Sequence, residues 1–168
     1  AKVKAMVNAL VANGSTNTLT GVTWGWRVLS PGEPFTEGAA KTAKDTVKAM
    51  VFLTDGANAI NALSNNLKSA YTSFGYLVDG RLNGMTAGTS DMLGQAIDAK
   101  TLTACGNIKK DAIEVFTIRL EMPDVETGTL LQNCASKPEN YFDAPSRTQL
   151  DGIFKSIKKE IMRVRLTS

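Results

Sequence analysis

One carboxylate stands where α/β proteins often bind ligands. Residues 48–58 read K-A-M-V-F-L-T-D-G-A-N, so a short apolar run stops at Asp55 and Gly56. Such a run predicts a buried central strand. Open α/β sheets place ligand sites at the carboxyl ends of their strands, which makes Asp55 a candidate binding group. The alternative is that Asp55 only hydrogen-bonds the turn that follows it.

The sequence lacks most residue sets that carry out catalysis. It contains no histidine, which excludes Ser-His-Asp and Cys-His nucleophilic sites. It contains neither G-x-x-x-x-G-K-[ST] nor G-x-G-x-x-G, the loops that bind nucleotide phosphates. The acidic residues Asp124 and Glu126 lie in a polar stretch, and we expect them to be solvated.

The two cysteines, Cys105 and Cys134, are the second candidate set. Without a C-x-x-C motif or a histidine, zinc and iron–sulfur sites are not expected. The pair can serve as a structural disulfide, and closing a loop of about 29 residues would contribute roughly 3–4 kcal/mol to stability. The alternative is two free, buried thiols.

Composition indicates one soluble domain over residues 1–168. With 43% hydrophobic residues, the chain can bury a core but is too short for two domains of usual size. The net charge of +3 comes from bases near the end of the chain, without interleaved aromatic residues, so we predict no nucleic-acid binding. The longest uncharged apolar stretch, Ala49–Leu53, is far shorter than the roughly 20 residues of a membrane span.

Turn signals divide the chain into alternating helices and strands. The predicted strands are 47–53, 113–120 and a short one at 141–142; the predicted helices are about 2–12, 18–29, 89–110, 128–134 and one from about 147. This alternation predicts an α/β fold with a mainly parallel sheet. The stretch 57–88, rich in Asn, Ser and Gly, is predicted to be an irregular insertion that carries recognition.

Two tryptophans lie two residues apart on the second predicted helix. Trp24 and Trp26 must therefore point in different directions. We predict that Trp26 enters the core and that Trp24 packs under the loop 30–35 or lines a binding surface.

An ordered set of motifs resembles a known family. These are G-S-T-N-T-L-T-G-V-T-W-G-W-R-V-L-S-P-G-E-P-F from Gly14, V-F-L-T-D-G-A-N from Val51, C-x-x-I-K-x-x-x-I-x-V-F-T-I from Cys105 and L-L-Q-N-C-A-S-K-P-E-N-Y-F-D-A from Leu130. They resemble the carboxyl-terminal half of the von Willebrand factor A domain in TadG-like tight-adherence (Flp) pilus assembly proteins. The similarity extends from Gly14 to Leu166.

The resemblance implies a doubly wound sheet with a metal-ion-dependent adhesion site at its top. In that site a D-x-S-x-S loop, a Thr and an Asp surround one divalent cation, usually Mg²⁺, and a carboxylate of the partner completes the coordination. Thr16 and Asp55 match the family's Thr and Asp, and Thr18 is a lesser candidate for the same hydroxyl. Helix capping is the alternative role for Ser15 and Thr16.

The D-x-S-x-S loop is absent from these residues, and the family places it upstream. We therefore expect a partial doubly wound sheet without its amino-terminal strands. One hydroxyl and one carboxylate hold Mg²⁺ poorly, so we expect no tight metal site in this chain alone. The strand 47–53 would become a sheet edge, and we predict that the chain dimerises, swaps or covers this edge with its own insertion.

The functional expectation is a non-enzymatic adhesion module that binds a protein partner. The resemblance also implies an extracytoplasmic location, with a membrane tether only upstream of this chain, which favours the Cys105–Cys134 disulfide. A structural scaffold without working metal chemistry is the alternative. Phosphorylation of Asp55 on a similar fold ranks third, because too few acidic residues accompany it at the strand ends to hold Mg²⁺.

Overall fold

The structure is a computed structural model that describes residues 2–11 and 13–167. Its strands alternate with helices, in the order α1 (Lys2–Asn8), α2 (Thr18–Leu29), β1 (Lys48–Thr54), α3 (Ser90–Lys110), β2 (Ile113–Leu120), α4 (Val125–Cys134), β3 (Tyr141–Ala144) and α5 (Leu150–Thr167). Single 3-10 turns lie at Leu77–Asp79, Pro138–Asn140 and Arg147–Gln149.

The three strands form one parallel sheet in the order β1-β2-β3. Lys48 aligns with Ile113 at the start of the first pair, and Thr117 aligns with Tyr141 at the start of the second. Because the strands are parallel, their carboxyl ends lie at one edge of the sheet. The predicted α/β class with a parallel sheet is confirmed.

Helices cover the sheet on both faces. On one face α2, α3 and α4 enclose an apolar cluster of Val22, Met50, Ala104, Cys105, Ile108, Ile113, Val115 and Cys134. On the other face α5 packs on a cluster of Phe116, Ile118, Leu120, Ala144 and Ile157. The middle strand β2 contributes to both clusters, so it lies at the centre of the fold.

A disulfide joins the helices on either side of β2. Cys105 of α3 and Cys134 of α4 are bonded, with their Cα atoms 5.2 Å apart. Both side chains are buried in the cluster between the helices and the sheet. The alternative of two free thiols is therefore wrong.

The two tryptophans take the predicted separate positions. Trp26 packs against the core cluster, and its indole nitrogen donates a hydrogen bond of 2.9 Å to Asp111 after α3. Trp24 remains half exposed and meets the ring of Phe35 edge to face, with 6.0 Å between the ring centroids. Arg27 lies over the same indole ring.

Strand β1 is an edge strand within the described residues, because it pairs only with β2. Its side chains Val51 and Leu53, on the α5 face of the sheet beside Phe116 and Ile118, are 40% and 39% exposed. A groove of about 330 Å³ runs between this edge and α2. The groove is lined by α2, the residues just before it and β1 itself.

The insertion 57–88 does not cover this edge, so one of the three predicted outcomes is wrong. It is irregular as predicted, but it has a small apolar core of its own. Ile60, Leu77 and Leu82 are buried against Leu93 and Ile97 of α3. The insertion packs on the amino-terminal half of α3 because the apolar side chains of that half face it.

Helix α1 is shorter than predicted and ends at Asn8 instead of about residue 12. It has no buried residue. The apolar residues of this segment remain between 58% and 86% exposed: Val3, Met6, Val7, Leu10 and Val11. Its sequence pattern is amphipathic, but no described element covers the apolar face.

Candidate functional site

The turn after β1 leaves the carboxylate of Asp55 free. Thr54 is buried, and its hydroxyl donates to the carbonyl of Gly56 at 2.9 Å and accepts from the amide of Gly56 at 3.3 Å. Thr54 therefore holds the turn by its hydrogen bonds. This is the role that the alternative interpretation gave to Asp55. The side chain of Asp55 is exposed and forms no hydrogen bond with any described residue.

Thr16 lies against the same turn. A Cβ atom added at Gly56 would come within 2.7 Å of the Thr16 hydroxyl oxygen, so only glycine permits this approach. The amide of Ala59 donates to the carbonyl of Thr16 at 3.1 Å, which joins the two loops. The structure thus brings together the segments of Thr16 and Asp55, as the sequence predicted.

Helix capping does not occupy the hydroxyls of Ser15 and Thr16. Asn17 is the N-cap of α2, and its side-chain oxygen accepts from the amide of Thr20 at 3.0 Å. Neither Ser15 nor Thr16 uses its hydroxyl in a hydrogen bond with a described residue. The capping alternative is wrong for both residues, because the asparagine between them and the helix takes that position.

Thr18 belongs to a buried polar network instead of the surface site. Its amide donates to the side-chain oxygen of Asn58 at 2.7 Å, and its hydroxyl accepts from the amide nitrogen of Asn58 at 2.7 Å. Asn58 also donates to Asp98, and the hydroxyl of Thr18 lies 3.1 Å from that of Thr101. Thr18 is therefore a structural residue, because burial and these bonds use its polar groups.

This network connects the site to helix α3. Gly94 lets the helix approach closely, since a Cβ there would lie 2.8 Å from the carbonyl oxygen of Asn58. Burial raises the pKa of the Asp98 carboxyl, and the nearby negative charge of Asp124 raises it further. The hydrogen bond from Asn58 lowers this pKa but does not cancel the rise. Asn58 thus fixes the loop of Asp55 both to the start of α2 and to α3.

The acidic groups at the ends of the neighbouring strands already have partners. The Arg119 guanidinium binds both carboxylate oxygens of Asp143, at 3.0 and 2.6 Å, and this holds the pKa of Asp143 below its usual value. Asp124 caps α4 by accepting from the amide of Thr127 at 2.6 Å, and hydrogen bonding to Thr127 lowers its pKa. The expectation that Asp124 is merely solvated is wrong, whereas Glu126 is exposed.

These residues do not form a complete metal centre. Mg²⁺ requires near-octahedral oxygen coordination, which the free side-chain oxygens of Thr16 and Asp55 alone do not provide. Within residues 2–11 and 13–167, no three His, Cys, Asp or Glu side chains are grouped closely enough to hold a metal ion.

Comparisons with known proteins support the fold. No protein-family model matches the chain, and no curated protein matches it. Among solved structures, the chain is similar to the pilus adhesin SpaC from Lactobacillus rhamnosus GG, with a TM-score of 0.57 and 17% sequence identity. The match covers 94% of this chain and 21% of the adhesin, so the chain spans about a fifth of that protein. At this identity the likeness shows a shared fold.

The sequence did not predict that Asn58 and Asp98 support the candidate site. Asn58 follows the Asp-Gly turn, where asparagine is an ordinary turn former. Asp98 lies within a helix, where an acidic residue normally faces solvent. Their contact joins residues 40 positions apart, and no local pattern marks such a pair.

Proposed function

We propose that this chain is a non-enzymatic adhesion module that binds a protein partner at the carboxyl ends of its strands. One observation carries the proposal: the carboxylate of Asp55 is exposed and without an internal hydrogen bond, on the turn against which Thr16 lies, and the hydroxyl of Thr16 is equally free. A free carboxylate at this sheet edge is available for recognition. The similarity to a pilus adhesin is consistent with this class of function.

The proposed location is outside the cytoplasm. Disulfides persist mainly in oxidising compartments, and Cys105 and Cys134 form one here. In the described part of the chain, no helix has the length and hydrophobicity needed to cross a membrane. We place any membrane tether upstream of these residues, as in the TadG-like proteins that the sequence resembles.

The proposed metal is Mg²⁺, bound in the longer parent domain. Thr16 and Asp55 would be two of its ligands, and a D-x-S-x-S loop outside these 168 residues would supply the others. A cation bound there would attract a carboxylate of the partner protein. In the 168-residue chain alone, we expect no tight binding of Mg²⁺ because two ligands compete poorly with water.

Thermal unfolding of the parent protein tests this proposal. A ligand at 100 times its dissociation constant adds about 2.7 kcal/mol of stability, so Mg²⁺ should raise the melting temperature and EDTA should reverse the rise. Asp55→Ala should abolish the Mg²⁺ effect, whereas the control Asp91→Ala, at the exposed start of α3, should retain it. Equal Mg²⁺ responses in the wild type and in Asp55→Ala would refute the metal assignment.

A scaffold without metal chemistry is the second candidate. It is favoured by the absence, among the described residues, of any group of three His, Cys, Asp or Glu side chains that could hold a metal ion, and by the internal hydrogen bonds that fix both loops. In this case the parent would show no response to Mg²⁺, and Asp55→Ala would leave assembly unchanged. Phosphorylation of Asp55 stays third, and failure of acetyl phosphate to label Asp55 would remove it.

We also propose that the 168-residue chain self-associates through β1. An uncovered strand edge with exposed Val51 and Leu53 is a template for strand pairing. We expect light scattering after size exclusion to show a mass that rises with concentration. Val51→Lys places a charge on the exposed strand and should return the chain to a monomer, whereas Val125→Lys, at an exposed position at the start of α4, should not. A wild-type chain that stays monomeric at high concentration would contradict the proposal.

A further inference from the structure

A second cleft opens beside the site, between the start of α2 and the insertion. It has a volume of about 430 Å³, within the range of small-ligand sites. One wall carries Ser15 and Asn17, and the other carries Asn61, Tyr71 and Ser73. Among the described residues, no charged side chain lines this cleft, which favours a neutral ligand bound through hydrogen bonds and apolar contact.

Hydrogen bonds fix the two walls relative to each other. The hydroxyl of Thr20 donates to that of Ser73 at 2.7 Å, and the side-chain nitrogen of Asn17 donates to the same oxygen at 3.3 Å. Behind the wall of the insertion, Ile60 and Leu77 are buried against α3. The cleft is therefore a preformed feature and not a gap between independent loops.

Three side chains at the cleft have unused hydrogen-bonding groups. The side chains of Ser15, Asn61 and Tyr71 form no hydrogen bond with any described residue. Tyr71 is 74% exposed, and its ring meets Tyr76 edge to face at 5.2 Å, which supports it while leaving it accessible. The cleft thus combines an exposed aromatic surface with hydroxyl and amide groups that donate and accept.

The backbone at the rim is already paired, which argues against an added peptide strand. The amide of Ala70 donates to the carbonyl of Asn61 at 2.8 Å. Thr72 and Gly75 exchange two hydrogen bonds of 3.0 Å. Peptides that extend a sheet need free backbone groups, and here recognition must use side chains.

From this combination we propose that the cleft binds a neutral saccharide. Sugar hydroxyls both donate and accept, which matches Asn61 and Ser15, and the apolar face of a sugar ring can lie on Tyr71. This binding goes beyond the proposed function, because it requires neither Asp55 nor a metal. Failure of one proposal therefore leaves the other standing.

Saturation-transfer NMR and calorimetry with the 168-residue chain test the proposal. The probes are neutral oligosaccharides of galactose and of N-acetylglucosamine, a sialylated oligosaccharide and a Gly-Ser peptide. We expect a neutral oligosaccharide to bind with a dissociation constant of roughly 1 mM or lower. The sialylated sugar and the peptide should bind more weakly, because nothing in the cleft pairs with a charge or a free backbone.

Substitutions in the cleft and elsewhere test whether the saccharide binds there. Tyr71→Ala should weaken it roughly tenfold, and Asn61→Ala should weaken it too, with unchanged melting temperatures because neither side chain is buried. The controls Asp55→Ala and Phe154→Ala, an exposed aromatic on α5, should bind like the wild type. The proposal is overturned if no neutral sugar binds, if the peptide binds more tightly, or if Tyr71→Ala has no effect.

Discussion

Removing the disulfide is expected to lower the free energy of unfolding by about 3–4 kcal/mol. The paired substitutions Cys105→Ala and Cys134→Ala open a closed loop with a sequence separation of 29 residues. The unfolded chain then gains conformational freedom, whereas the helices and β2 keep their contacts. Both positions are fully buried, and alanine avoids placing a polar group there.

Urea unfolding with and without reductant measures this effect. The midpoint of the wild type should fall on addition of dithiothreitol, and the double variant should unfold near that lower midpoint under both conditions. The double variant is its own control, because it has no sulfur bridge to reduce. Equal midpoints for the oxidised wild type and the variant would show that the bridge contributes nothing to stability.

Asn58→Ala is expected to cost about 2–3 kcal/mol, the second largest effect among these predictions. Asn58 is 9% exposed, and its side chain bonds the amide and the hydroxyl of Thr18 as well as Asp98. Alanine would leave the amide of Thr18 buried without a partner and would remove the hydrogen bonds from Asn58 to the Thr18 hydroxyl and to Asp98. Thermal or urea unfolding measures the loss, and Asn66→Ala, at an exposed position of the insertion, should change stability by less than about 0.5 kcal/mol.

Asp98→Asn removes the negative charge from the buried polar network but keeps a hydrogen-bond acceptor for Asn58. Burial raises the pKa of Asp98 above its ordinary value of 3.8, so the folded protein binds this proton more tightly than the unfolded chain does. Stability is therefore lost as pH rises from about 4 through the folded pKa. Asparagine can still accept from Asn58, so this variant should be at least as stable as the wild type at pH 7, with a flatter pH profile. A loss comparable to Asn58→Ala would contradict this account.

The sequence predicted the layered fold well because the deciding signals are local. Helix α2 and strand β2 begin and end at the predicted residues, 18–29 and 113–120. Asn13-Gly14 and Pro31 lie on the two sides of α2, and a run rich in β-branched and apolar residues, I-E-V-F-T-I-R-L, marks β2. The position of Asp55 at the end of a strand followed from the Asp-Gly stop.

The roles of single side chains in the site were harder to predict. Thr54, and not Asp55, holds the turn, and the hydroxyl of Thr18 is buried while that of Thr16 is free. Thr16 and Thr18 differ in role although they lie only two residues apart, because the distant residues Asn58 and Thr101 bind the hydroxyl of Thr18. The core of the insertion likewise depends on apolar residues that loops separate, without a helical or strand period.

The position of the sulfur bridge has a mechanical consequence. The ring closed by Cys105 and Cys134 contains β2, whereas β1 and β3 lie outside it. When the chain is pulled from its two ends, tension passes through the bridge, and the 29 residue steps inside it cannot extend. The disulfide therefore shortens the fully extended chain by roughly 100 Å. The outer strands can be peeled away under load, but the middle strand stays within an unbroken covalent loop from which the sheet can form again.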